Sequence, residues 1–191
     1  MKRTRSAKYK ASRRSWVTNR TVDERRPQSS SKTRRRWLAT GASSDFALST
    51  AEIAALTATA SGITIGKANS GAVTISAITF NDPITILGAA MSVTALAAGG
   101  NNITLTSTGT IDELLDNTTT DITTTGTLAL TAQGAIGVSG GNGALDLAVG
   151  TLQATTNSGG IFVLESNGLT IGGAGVETTA GNDEIQITLT A

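Results

Sequence analysis

Asn102-Ile103-Thr104-Leu105-Thr106 places an aliphatic side chain at every second position and a threonine at its far end. A two-residue period is that of a strand buried on one face, because successive side chains point to opposite sides of the pleat. Outward from this stretch the pattern recurs. Before it come Gly62-Ile63-Thr64-Ile65-Gly66, Ala72-Val73-Thr74-Ile75-Ser76, Ile84-Thr85-Ile86-Leu87 and Ser92-Val93-Thr94-Ala95-Leu96. After it come Thr127-Leu128-Ala129-Leu130-Thr131, Ala135-Ile136-Gly137-Val138 and Ala144-Leu145-Asp146-Leu147-Ala148-Val149. Ile161-Phe162-Val163-Leu164, Leu169-Thr170-Ile171 and Glu184-Ile185-Gln186-Ile187-Thr188-Leu189 complete the series. Gly, Asn, Asp and Ser separate these segments, as turns require. The intervals are too short for α/β units, whose crossovers need a dozen residues or more. Helix-like composition is confined to Ser49–Thr59, where Ser49 and Glu52 have capping-box spacing, and to Ile111–Leu115. The predicted class is all-β, with a body spanning 45–191.

Sandwich, closed barrel and solenoid compete for such a pattern. A sandwich fills a gap of ~10 Å between its sheets with bulky side chains, whereas this body offers three aromatics, Phe46, Phe80 and Phe162. A solenoid interior is narrower and stacks Ile, Leu, Val and Ala from coil to coil. Internal similarity favours it. Ser61-Gly62-Ile63-Thr64-Ile65-Gly66 matches Asn167-Gly168-Leu169-Thr170-Ile171-Gly172, and Gly71-Ala72-Val73-Thr74-Ile75 matches Gly100-Asn101-Asn102-Ile103-Thr104-Leu105. The expectation is a right-handed parallel β-helix, with roughly 20–25 residues per coil and about six or seven coils.

Charge divides the chain in two. Residues 1–40 hold 14 Lys/Arg against Asp23 and Glu24, a net +12, while residues 41–191 hold Lys67 against 12 acids, a net −11. A segment with one dominant charge and few aliphatics cannot bury enough surface to offset its ordering entropy, so 1–44 is expected to be a disordered basic arm. Non-specific anionic partners, nucleic acid among them, would bind residues 1–40 by counterion release. Tyr9, Trp16 and Trp37 supply little base stacking there. The chain has no run long enough for a membrane span. Thr33-Arg34-Arg35-Arg36-Trp37-Leu38 has a twin-arginine look, but the Ala39–Leu56 stretch behind it is too polar for an export signal. With no Cys and no His, disulfide frameworks, thiolate zinc sites and Ser-His-Asp catalysis are excluded.

The succession Gly134-Ala135-Ile136-Gly137, Ala144-Leu145-Asp146-Leu147, Thr151-Leu152-Gln153-Ala154-Thr155 and Ser158-Gly159-Gly160-Ile161-Phe162-Val163 runs on through Glu165-Ser166-Asn167-Gly168-Leu169-Thr170-Ile171-Gly172. With Leu48-Ser49-Thr50-Ala51-Glu52 leading into Gly62-Ile63-Thr64-Ile65-Gly66, it resembles the repeats of large bacterial exoproteins of the filamentous haemagglutinin type. The resemblance covers 46–191 and excludes the basic arm. It implies a β-helical shaft in a secreted or surface-anchored adhesin, an extracellular or cell-surface location, and a place in a longer repeat array. Neighbouring repeats of the parent chain, and host-cell or matrix glycans and proteins, are the partners it implies. The family's signal, secretion-recognition domain and membrane-anchoring barrel have no counterpart in these residues.

Candidate chemistry is thin. Acids gather at Asp112, Glu113 and Asp116 and at Asp183 and Glu184. Paired carboxylates can cleave glycosides, but the groove aromatics that stack on sugars are wanting, and a lyase base would have to be Lys67. These acids are expected to be solvated loop residues, and the chain not an enzyme. Calcium β-rolls need Gly-Gly-x-Gly-x-Asp; Gly140-Gly141-Asn142-Gly143-Ala144 puts Leu145 at the Asp position, and Gly181-Asn182-Asp183-Glu184-Ile185 is a single half-motif. Both read as turns. Thr118-Thr119-Thr120 and Thr123-Thr124-Thr125 fit exposed sheet faces better than a hydroxyl array for ice or glycan. No catalytic, cofactor or metal residue is named from the sequence. The alternatives to a shaft are a standalone glycan-binding or glycan-cleaving β-helix and a polyanion-binding protein acting through its arm.

Overall fold

A computed structural model describes residues 48, 50–56, 61–140, 142–180 and 182–190, all within one compact unit, Thr40–Ala191. The expected basic arm and the Ser49 cap lie outside the described residues. Among the described residues one short helix, α1 (Thr50–Ala54), precedes eleven strands. The strands are β1 (Ile63–Gly66), β2 (Val73–Thr79), β3 (Ile84–Gly88), β4 (Met91–Ala97), β5 (Ile103–Ser107) and β6 (Ile111–Glu113). The second half holds β7 (Ile122–Ala132), β8 (Leu145–Thr156), β9 (Ile161–Glu165), β10 (Thr170–Thr178) and β11 (Ile185–Leu189). Every pairing is parallel and joins strands one coil apart, giving a β-solenoid of about six turns.

Two ladders carry the coil. On the first, Ile63, Ile84, Ile103, Leu128, Leu152 and Ile171 stand in register, with Ile65, Ile86, Leu105, Leu130, Ala154 and Val176 beside them. On the second, Val73, Met91, Ile111, Ile136, Ile161 and Ile185 form the matching column. Both columns are buried through the middle coils, and together they make the core. Removing such a side chain from water contributes about 1.5–3 kcal/mol each. Steps between coils run from 18 residues (Val73 to Met91) to 26 (Leu96 to Ile122), because excursions at the corners absorb the difference.

The internal similarity misjudges the register. Val73 and Ile103 stand on different ladders, and Ile63 shares its column with Ile171 rather than Leu169. The aliphatic-Thr-aliphatic pattern serves both faces of every coil, so likeness does not distinguish a face from a turn. Ile111–Leu115 is also not helical: Ile111–Glu113 is strand β6, held between β4 and the bridge at Ile136, and Leu115 is exposed.

Corners decide where the site lies. In the first two coils the second ladder bends at Ala77 (φ 46°) and Ala95 (φ 51°), which occupy matching places in β2 and β4. In the third coil this single-residue bend becomes the excursion 114–120, and in the fourth the excursion 139–144. Other corners are closed by hydroxyls. Thr124 Oγ1 donates to the carbonyl oxygens of Gly99 (3.1 Å) and Asn101 (2.6 Å) and accepts from Gly126 N (3.0 Å). Ser107 Oγ bridges the carbonyls of Ala89 and Thr110, and Thr156 Oγ1 donates to Gly159 O (2.9 Å). At Gly137 (φ 65°) a Cβ would strike the Phe162 carbonyl of the next coil, so only glycine closes that turn.

Candidate metal centre

The 114–120 excursion leaves the solenoid after Glu113 and rejoins it at Asp121. The register of β7 on β8 sets Ile122 against Leu147, so Asp121 lies against Asp146 of the next coil, and Asp121 N donates to Asp146 O at 2.8 Å. In return Asp146 N donates to Asp121 Oδ2 at 3.1 Å. Glu113 stacks on Val93 in the coil before. Its Oε2 accepts from Asn117 N at 3.4 Å, while Leu114 N donates to Val93 O at 2.8 Å. The two feet of the loop and one residue of the following coil thereby bring three carboxylates together. One oxygen from each lies within 4.8 Å of the others.

All three side chains are buried: Glu113 is 6% exposed, Asp121 1% and Asp146 4%. Each keeps one oxygen without a hydrogen-bond partner, namely Glu113 Oε1, Asp121 Oδ1 and Asp146 Oδ2, and among the described residues no other buried side-chain oxygen or nitrogen is in that state. Glu165 shows the contrast. It is fully buried too, yet its carboxylate accepts from the backbone N–H groups of Val149, Ser166 and Asn167 at 3.1–3.2 Å. Buried polar groups in this molecule are satisfied by chain around them, as they generally are; the three at the corner are not.

Their protonation follows from that setting. Burial pushes the Glu113 carboxyl up to about 7, the N–H of Asn117 opposing and the charges of Asp121, Asp146 and Asp116 adding to the rise. Burial likewise raises Asp121 to about 6, against the Asp146 N–H and with the charges of Asp146 and Asp112. Asp146 is raised by burial. Asp112 is raised by burial too, partly offset by the Glu113 N–H, with the charge of Asp116 adding to the rise. Lys67, the single base of residues 41–191, sits in the turn after β1, in the first coil rather than beside the third and fourth.

Of the acids expected to be solvated, Asp116 and Glu184 are exposed and Asp112 and Asp183 half-buried, but Glu113 is a correction. It takes the inward place of the Ile75–Val93 column, so strand alternation carries it into the corner. In Leu145-Asp146-Leu147 all three side chains are buried, and nothing in those residues announces it. Asp183 Oδ2 accepts from Gly159 N at 2.8 Å, and Val138 N donates to Gly143 O at 2.6 Å, hydrogen bonds suited to turns; Gly141 and Gly181 lie outside the described residues. Thr118 and Thr119 belong to the excursion, and Thr124 is buried between the exposed Thr123 and Thr125, so these runs form no continuous array. Comparison with protein-family models, curated proteins and solved structures gave no match.

Proposed function

We propose that the chain is a structural shaft of a secreted or surface-exposed bacterial exoprotein of the filamentous haemagglutinin type, adhering through extended contact along its flanks and catalysing no reaction. The observation that carries this reading is the condition of the last coil. The core columns continue into it, but Ile171, Ile185 and Leu189 are 47%, 42% and 61% exposed there. Ile185 stands directly over Ile161, and Leu189 over Glu165, both fully buried one coil earlier. Apolar columns and unpaired strand edges of this kind are the surface on which a further coil, or another copy, stacks. Among the described residues no helix is long and apolar enough to cross a membrane.

The full chain is expected to self-associate end to end. Sedimentation velocity across a hundredfold concentration range, at a salt concentration that suppresses binding by the basic residues 1–40, should show mass rising with concentration, and electron microscopy should show linear stacks. A sharp monomer at the highest concentration overturns the stacking reading. Saturable binding to a single glycan class on an array, competed by free sugar, would replace the shaft with a dedicated glycan-binding β-helix.

A further inference from the structure

We propose that Glu113, Asp121 and Asp146 form an internal binding site for a hard divalent cation, calcium foremost, which fastens both feet of the 114–120 excursion to the following coil. Three independent features carry it. The three carboxylates converge to within 4.8 Å, a spacing spanned by oxygens that share one ion at 2.3–2.6 Å. Each is more than nine-tenths buried and keeps one oxygen without a partner. The companion oxygens of Glu113 and Asp121 accept from the backbone N–H groups of Asn117 and Asp146, which restrains both carboxylates before an ion arrives.

The donors are oxygen only, so the site favours hard cations over zinc and copper, which bind nitrogen and sulfur ligands more strongly. Calcium tolerates irregular coordination completed by water or carbonyl oxygen, whereas magnesium demands near-ideal octahedral geometry and gives up its water reluctantly. A corner built from one loop and two coils meets the first condition more readily than the second. Bound there, the ion would supply a positive charge that, among the described residues, no nearby side chain provides. It would tie residues that are distant in sequence, Glu113 and Asp146, across adjacent turns.

The full chain, stripped with chelator and held at pH 7.5, is titrated with calcium, magnesium and manganese by calorimetry and thermal denaturation. One calcium per chain is expected, with a rise in Tm of roughly 5–10 °C at saturation and a weaker response to magnesium. Asp121→Asn and Glu113→Gln should each weaken calcium binding tenfold or more while melting no lower than the wild type in chelator, since each removes a buried like charge. Manganese should broaden the backbone amide resonances of 113–121 and 145–147 in the unaltered chain, a readout that needs no variant to fold. Absence of heat and of any shift with all three ions overturns the proposal. So does a calcium response that survives both substitutions, or manganese broadening centred elsewhere.

Discussion

Asp121, just before β7, and Asp146 of β8 lie side by side in adjacent coils, a juxtaposition of like charges that ordinarily destabilises a fold. Glu113 compounds it. Without a cation the cheapest relief is a proton, and the direction of the pH effect follows. A carboxyl whose folded pKa exceeds its unfolded value keeps its proton in the folded chain after the unfolded chain has released it. Stability is then fully present at low pH and lost as pH rises, from 4.5 to about 7 for Glu113 and from 3.8 to about 6 for Asp121. In chelator the protein should therefore lose about 4 kcal/mol between pH 5 and pH 8. Circular-dichroism melts across that range read it out, and Glu113→Gln should flatten the profile. A wild-type melting temperature that climbs toward pH 8 would contradict the charge assignment at this corner.

Among the elements, β5 is the one whose nature was plainest beforehand and whose neighbours were not. Ile103 and Leu105 alternate with threonines, and the structure buries both aliphatics completely. What the alternation could not convey is which strand lies above and which below, because the same pattern serves both ladders. The bends at Ala77 and Ala95 escaped notice for a different reason. A positive φ is ordinarily flagged by Gly or Asn, and alanine carries no such mark. The corner site was legible only in part: the acids at 112–116 stood out, but their union with Asp146 depends on a register 25 residues deep. Packing makes the ladders testable. Leu105 stands between Ile86 and Leu130, so Leu105→Ala should cost about 3–4 kcal/mol in urea titrations. Ile187, half-buried at the last coil, should cost about 1 kcal/mol on the same change. Equal losses at the two positions would mean that the columns are not graded from middle to end.

At the scale of the molecule, each coil touches little beyond the coil before and the coil after, so stability accumulates by nearest-neighbour interfaces rather than through one central core. The longest pairing, β7 on β8 with nine residues in register, falls in the second half, whereas β1 brings four residues to the first coil. Fraying should begin at the two extremities. The three-acid corner joins the third and fourth coils near the middle.

The hydrogen bonds between coils run along the stacking direction, and that orientation has a mechanical corollary. Tension applied to the two extremities of the solenoid loads the ladders one rung at a time, in the manner of a zip. Optical-trap extension of the chain should show a staircase of small, low-force releases, each freeing roughly 20–25 residues. A calcium-dependent pause should appear where peeling reaches the residues between Glu113 and Asp146. One abrupt high-force rupture would mean that the coils yield together.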